Sequence, residues 1–220
     1  MASGFFVTGT DTGVGKTLVA CALLHAFGAA GKRCVGQKPI AAGRDASGWQ
    51  DIEALYEAST FRAPRELVNQ YAFEAPIAPH IAAAMEGAHI DVEKITAAYA
   101  RLRAIAEVVV VEGAGGFMIP LNARETGADL ARALGAPLIL VVGMRLGCLN
   151  HALLTRRAIA AAGLRCAGWV ANCIVPQMHE LERNIESLEQ RLDCPRLGTI
   201  AHRPGITARE AAAGLMLPHG

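Results

Sequence analysis

The chain has 220 residues, with 21 Lys and Arg against 20 Asp and Glu, a formal charge of +1. That balance leaves no electrostatic footprint for nucleic acid or an anionic membrane surface, so neither is an expected partner. An apolar share of 52% with only 5% aromatics allows a substantial core built from Ala, Val, Leu and Ile, within one domain of ordinary size.

In chain order, Phe5-Phe6-Val7 reads as a short buried strand. Its upstream residues lack the basic segment and long apolar run of a secretory leader, so a cytoplasmic protein is expected. Apolar residues at helical spacing predict a helix over 17–30, stopped by Gly31. A second strand covers 34–38 and ends at Pro39. The Gly-, Ser- and Asp-rich stretch 41–49 reads as a loop, followed by a helix over 51–59. Pro64, Pro76 and Pro79 make 61–79 an irregular excursion with short helices. Asp91 can cap a helix to about Ala106.

Val108-Val109-Val110-Val111-Glu112 is the clearest buried strand and runs into Gly113-Ala114-Gly115-Gly116. Thr126 and Asp129 suit a capping box opening a helix to about Leu134. An apolar strand over 137–143, a helix over 149–162, a strand over 168–172, a helix over 178–192 and a strand over 197–200 complete the chain. The strands are uniformly apolar and alternate with helices. That pattern predicts an α/β fold: one open, mostly parallel sheet covered by helices on both faces. None of the six cysteines forms a CxxC pair, which favours buried thiols in a reducing compartment over a zinc site or disulfides.

Between the first strand and first helix lies Gly9-Thr10-Asp11-Thr12-Gly13-Val14-Gly15-Lys16-Thr17. There, loop amides and a helix N-terminus can wrap phosphate oxygens, Lys16 can meet the β- and γ-phosphates, and the Thr17 hydroxyl can ligate Mg²⁺. The common P-loop spacing would put glycine at Thr10, so the gap from Gly9 is one residue longer. Glu112 sits at the carboxyl end of the valine strand, where ligands bind in open α/β sheets. A carboxylate there suits a Mg²⁺ ligand, or it merely ends a strand. Lys38 ends the second strand at the same edge. It is either a second phosphate-side charge or an ordinary exposed lysine.

The segments FFVTGTDTGVGKT, GQKPIAAG, VEGAGG, VVGMRLGCLNHALLT and GWVANCI occur in that order across about four-fifths of the chain. Together they resemble the dethiobiotin synthetase family, of P-loop NTPase fold. The resemblance implies ATP-dependent conversion of 7,8-diaminononanoate and CO₂ to dethiobiotin, in biotin biosynthesis. The implied course runs through a carbamate and a carbamic–phosphoric anhydride, with Mg²⁺ as cofactor and ADP and phosphate as by-products. It further implies catalytic roles for Lys16, Lys38 and Thr12, and metal-side roles for Thr17, Asp51 and Glu112. Taken alone, Asp51 reads as a helix N-cap. The nucleotide contacts implied are Asp11, Thr12, Gly13, Val14, Gly15, Lys16, Thr17, Asp51, Glu112, Gly113, Ala114 and Gly115. Around the base they are Asn172, Cys173, Ala201, His202, Arg203 and Glu210. The substrate contacts implied are Lys38, Ala42, Gly147, Cys148, Leu149 and Asn150, the last four receiving the substrate carboxylate across a homodimer interface. Two positions depart from the family: Ala42 stands where some members carry Ser, and Arg145 where a Lys is seen.

The rival reading is a P-loop switch of the partitioning or metal-chaperone type. Such proteins often carry a second lysine early in the loop, where this chain has Asp11 and Thr12. A carboxyl-activating synthetase with a glutaminase domain would need a longer chain.

Overall fold

The computed structural model describes residues 3–219, and its main sheet is built around the valine strand. In chain order the elements are β1 (Ser3–Gly9), α1 (Lys16–Ala29), β2 (Cys34–Gln37), β3 (Ile40–Ala42), α2 (Gln50–Ala58), α3 (Arg65–Val68), β4 (Tyr71–Phe73), α4 (Pro79–Met85) and α5 (Val92–Ile105). They continue with β5 (Val108–Glu112), α6 (Gly127–Leu134), β6 (Leu138–Gly143), α7 (Cys148–Ala161), β7 (Cys166–Asn172), α8 (Leu181–Glu189), β8 (Arg196–Ile200) and α9 (Ala208–Ala212). Six strands form one sheet in the order β2-β5-β1-β6-β7-β8, and every pairing is parallel.

The valines show why these strands need no polar alternation. Val109 and Val111 join one apolar cluster with residues of α5, α6, α7 and α8. Val108 and Val110 join a second cluster with α1, α2 and α9. Successive side chains point to opposite faces of a strand, and both faces are covered, so every position must be apolar. Fully burying such a side chain contributes about 1.5–3 kcal/mol. No helix among the described residues is long and apolar enough to cross a membrane.

β1 lies centrally, and the chain crosses from it to β2 on one side and later to β6 on the other. Strand order therefore reverses beside β1, and a crevice opens at the carboxyl ends of the strands there. The first-strand, Asp91-cap and Thr126–Asp129 expectations hold: Asp91 accepts from the Glu93 and Lys94 amides, and the Thr126–Asp129 capping box forms.

Three local expectations change. Ala41 and Ala42, expected in the loop, instead join Ile40 in strand β3, paired in parallel with β4 as a separate two-stranded sheet. Pro79 begins α4 rather than ending an irregular stretch, since its fixed φ and missing N–H suit the first helical position. The short helix α9, not expected, is held by a Thr207–Glu210 capping box.

Candidate functional site

The segment 10–15 leaves β1 and reaches α1 through Gly15, whose φ of 89° is left-handed. A side chain there would also collide with Asn172, because a Cβ would stand 2.1 Å from Asn172 Nδ2. Glycine is thus required twice over. No side chain caps α1, and its first turn carries no acidic residue, so its N-terminal amides and positive dipole end face the crevice unneutralised. Lys16 Nζ folds back to donate to Asp11 O at 2.9 Å, and the Thr12 amide donates to Asp11 Oδ1 at 2.7 Å. Burial lowers the Lys16 ammonium to about 8, with Glu112 opposing and Lys38 reinforcing the shift.

Across the crevice, Lys38 is only 4% exposed although it is a lysine at a strand end. Its Nζ lies 2.5 Å from Glu112 Oε1 and 2.9 Å from Asp51 Oδ2. Thr17 Oγ1 lies 2.9 Å from Glu112 Oε1 and 3.1 Å from Asp51 Oδ1, so its one proton serves one carboxylate at a time. Burial alone would lower the Lys38 ammonium, but Glu112 and Asp51 outweigh it and hold it above the ordinary lysine value. Burial would raise Asp51, and Lys38 reverses that to a net lowering. Glu112 moves the other way: burial pushes its carboxyl up despite Lys38, and Asp51's charge adds to the push.

Glu112 Oε2 is buried without a hydrogen-bond partner. An under-satisfied carboxylate oxygen beside a hydroxyl and a second carboxylate is a hard-oxygen donor set, and it fits a Mg²⁺ ion. Thr17, Asp51 and Glu112 would supply the ligands. Among the described residues no group of three or more His, Cys, Asp or Glu side chains is placed to hold a metal.

These groups open into one cavity of about 640 Å³. Thr12, Gly13, Gly15, Lys16, Thr17, Lys38, Asp51, Glu112, Ala114 and Gly115 line its polar side, and Ala42 also reaches it. Part of the wall is apolar: Ile40, Pro76, Ile77, Ala78, Pro79 and Ile119. That wall was not legible in the sequence. Only the closely spaced Pro76 and Pro79 marked the segment.

The remaining expected residues lie elsewhere on the same edge. Val14 is buried, and Gly113 follows β5 outside the cavity lining. Asn172, expected at the base, is 5% exposed, and its Nδ2 donates to Val14 O at 2.8 Å, bracing the phosphate loop from behind. The Cys173 amide donates to Ile200 O at 2.9 Å. Ala201, Arg203 and Glu210 line a second cavity of about 270 Å³, with Arg203 paired to Glu210 at 2.7 Å; His202 is exposed beside them.

Gly147 precedes α7 at the same rim, but Gly147, Cys148, Leu149 and Asn150 do not line the main cavity of their own chain. Cys148 is buried, while the preceding Leu146 is 98% exposed. Arg145, the departure from the family's lysine, forms an ion pair with Asp11 at 2.8 Å.

A family model described as an AAA domain matches residues 3–210. The ATP-dependent dethiobiotin synthetase BioD of Nitrosospira multiformis is 54% identical over 213 residues, 97% of this chain and 94% of that protein. The protein of the same name from Aromatoleum aromaticum is 52% identical over 218 residues, 97% of each. Among solved structures, the septum site-determining protein MinD of Pyrococcus horikoshii, complexed with Mg-ADP, aligns with a TM-score of 0.59 at 16% identity. It covers 99% of this chain and 87% of its own. The MinC:MinD cell division complex of Aquifex aeolicus gives a TM-score of 0.60 at 16% identity, over 96% of this chain and 86% of the other. Likeness at that identity establishes the P-loop NTPase fold and nothing about activity.

Proposed function

The chain belongs to the dethiobiotin synthetase family, ATP-dependent ligases of biotin biosynthesis, and from that premise we propose how its own residues carry the reaction. We take the chain as one synthetase domain acting in the cytoplasm. One observation supports the reading most: a phosphate loop, two buried lysines, two carboxylates and an apolar wall share a single cavity.

In this reading, one amine of 7,8-diaminononanoate takes up CO₂ to form a carbamate. A carbamate oxygen attacks the γ-phosphorus of ATP, the bond to the β-phosphate oxygen breaks, and ADP leaves. The second amine then attacks the carbamoyl carbon, phosphate departs, and the cyclic urea closes. The hard part is bringing two anions together, which demands positive charge fixed in advance. Lys38, held protonated by Glu112 and Asp51, stands at the carbamate side. Lys16 leaves Asp11 O for the phosphates, joined by the amides of residues 13–16 and the Thr12 hydroxyl. Asp51, Glu112 and Thr17 would hold Mg²⁺, which would supply positive charge against the phosphates.

The Ile40, Pro76, Ile77 and Ile119 wall suits the alkyl chain of the substrate and excludes water. Ala42 offers only its backbone, so no hydroxyl assists there. The adenine lies by Asn172, Cys173 and residues 201–203, with Glu210 at the edge of that cavity. The uncapped start of α7, Gly147 to Asn150, receives the substrate carboxylate of a neighbouring copy in a homodimer.

Purified protein with ATP, Mg²⁺, bicarbonate and 7,8-diaminononanoate is expected to release ADP only when the diamine is present. The product should carry an added carbonyl bridge by mass spectrometry. ATP turnover indifferent to the diamine and stimulated by DNA or a protein partner would instead favour the switch ATPase.

A further inference from the structure

Far from the nucleotide edge, Cys166 opens β7 and Cys194 lies just before β8. Their sulfurs are 3.2 Å apart, with Cys194 Sγ donating to Cys166 Sγ. Neither thiol has a part in the reaction above, and both are free.

The contact is built by the backbone around it. Trp169 N donates to Pro195 O at 3.0 Å, which anchors the residue after Cys194 against β7. That approach depends on Gly168, where a Cβ would stand 2.9 Å from Pro195 O and 2.6 Å from Leu197 Cγ. The register of β7 slips against both neighbours here, between Leu138 and Ile139 on one side and between Trp169 and Val170 on the other. Such irregularities re-aim side chains and stop simple strand pairing. From α7, Arg156 Nε donates to Leu192 O at 2.7 Å, and its guanidinium lies 3.5 Å from Asp193 Oδ2. The turn leading to Cys194 is thereby held in place.

We propose that Cys166 and Cys194 are a reversible dithiol site, closing to a disulfide when the protein meets a peroxide. The Cys166 thiolate attacks one peroxide oxygen, the O–O bond breaks, and a sulfenic acid and hydroxide form. Cys194 sulfur then attacks the sulfenic sulfur and water leaves. The two thiols lose two electrons and two protons, and hydrogen peroxide becomes two waters. The roles follow the hydrogen bond. Donation from Cys194 outweighs burial and holds the Cys166 thiol below its ordinary range, with the Arg156 charge assisting. The same bond, with burial, pushes Cys194 up, so it keeps its proton. Cys194 is also the more exposed of the two, which leaves the oxidant a way in.

Closure would tie the start of β7 to the turn that enters β8, at the amino edge of the sheet. Asn172, which braces the phosphate loop, lies at the opposite end of β7. Oxidation should therefore stiffen the fold and spare the ATP site.

Native protein is treated with hydrogen peroxide, remaining thiols are blocked with N-ethylmaleimide, and the digest is mapped by mass spectrometry. The expected result is a cross-linked peptide pair carrying Cys166 and Cys194, released by dithiothreitol. The thermal midpoint should rise by roughly 5–10 °C on oxidation, with calorimetric ATP affinity unchanged. In Cys194→Ser the cross-link should vanish and Cys166 should be captured as a sulfenic-acid adduct of dimedone. Full maleimide labelling of both cysteines after peroxide, or a disulfide joining other cysteines instead, would overturn the proposal. Should Cys194→Ser not fold, the parent's peptide map alone separates these outcomes.

Discussion

Two glutamates of opposite character bracket the valines of β5: Glu107 just before the strand and Glu112 at its end. At its amino end, Glu107 is half-exposed: Oε2 accepts from the Arg33 amide at 2.9 Å and Oε1 meets Lys32 Nζ at 3.3 Å. The Arg33 amide, with Lys32, holds its carboxyl below the ordinary range. At the carboxyl end, Glu112 is 1% exposed, burial pushes its carboxyl up, and one oxygen has no partner. The first glutamate is a finished surface contact. The second is a buried charge left short of partners, an arrangement a fold sustains where a ligand is to complete it.

The sharpest way to break this contrast is to remove the cation beside Glu112. Lys38→Ala should lower kcat by about 10²–10³ while calorimetric ATP affinity changes far less. Equal loss of both would remove Lys38 from the transition state. Next in size, Glu112→Gln should raise the half-saturating Mg²⁺ concentration by about 10–100-fold. An unaltered Mg²⁺ titration would reduce Glu112 to an ion-pair partner of Lys38.

Smaller, and graded, is the effect of pH on Lys16. With its ammonium at about 8, ATP affinity of the free enzyme should fall as pH rises above that value, by at most about tenfold per unit. Lys16→Arg should flatten that slope in calorimetry between pH 7 and 9.5, because a guanidinium does not titrate there. Stability should move in the opposite sense. The folded Lys16 releases its proton through pH 8, the unfolded lysine keeps it until about 10.5, and this group's penalty for burial is relieved over that window. Smallest of all, Glu107→Gln should leave turnover unchanged and move the thermal midpoint by no more than about 2 °C, since exposed pairs contribute little.

The local signals were strong where chemistry and backbone coincide. Gly15-Lys16-Thr17 follows a strand and opens a helix, so the phosphate loop was legible from neighbouring residues alone. So were the valine strand and the Thr126–Asp129 cap. Lys38 was ambiguous, because nothing nearby in sequence says whether a lysine at a strand end is buried. The strand at residues 40–42 was missed because its partner, Tyr71–Phe73, is distant in sequence and two of its three residues are alanines followed by glycine. The resemblance gave Asn172 as a base contact; its bond to Val14 spans most of the chain.

By itself the sequence determined the alternation of helices and apolar strands, the parallel sheet they require, the family and the identity of the charged groups. Those follow from periodicity, from burial on both faces and from motifs read within a few residues. Only the tertiary structure decided that Lys16, Lys38, Thr17, Asp51 and Glu112 share one cavity, that Pro76–Pro79 walls it, and that two cysteines meet at the far edge. Each of those depends on strand order and on crossovers bringing together residues far apart in the chain, and local propensity carries no record of such closure.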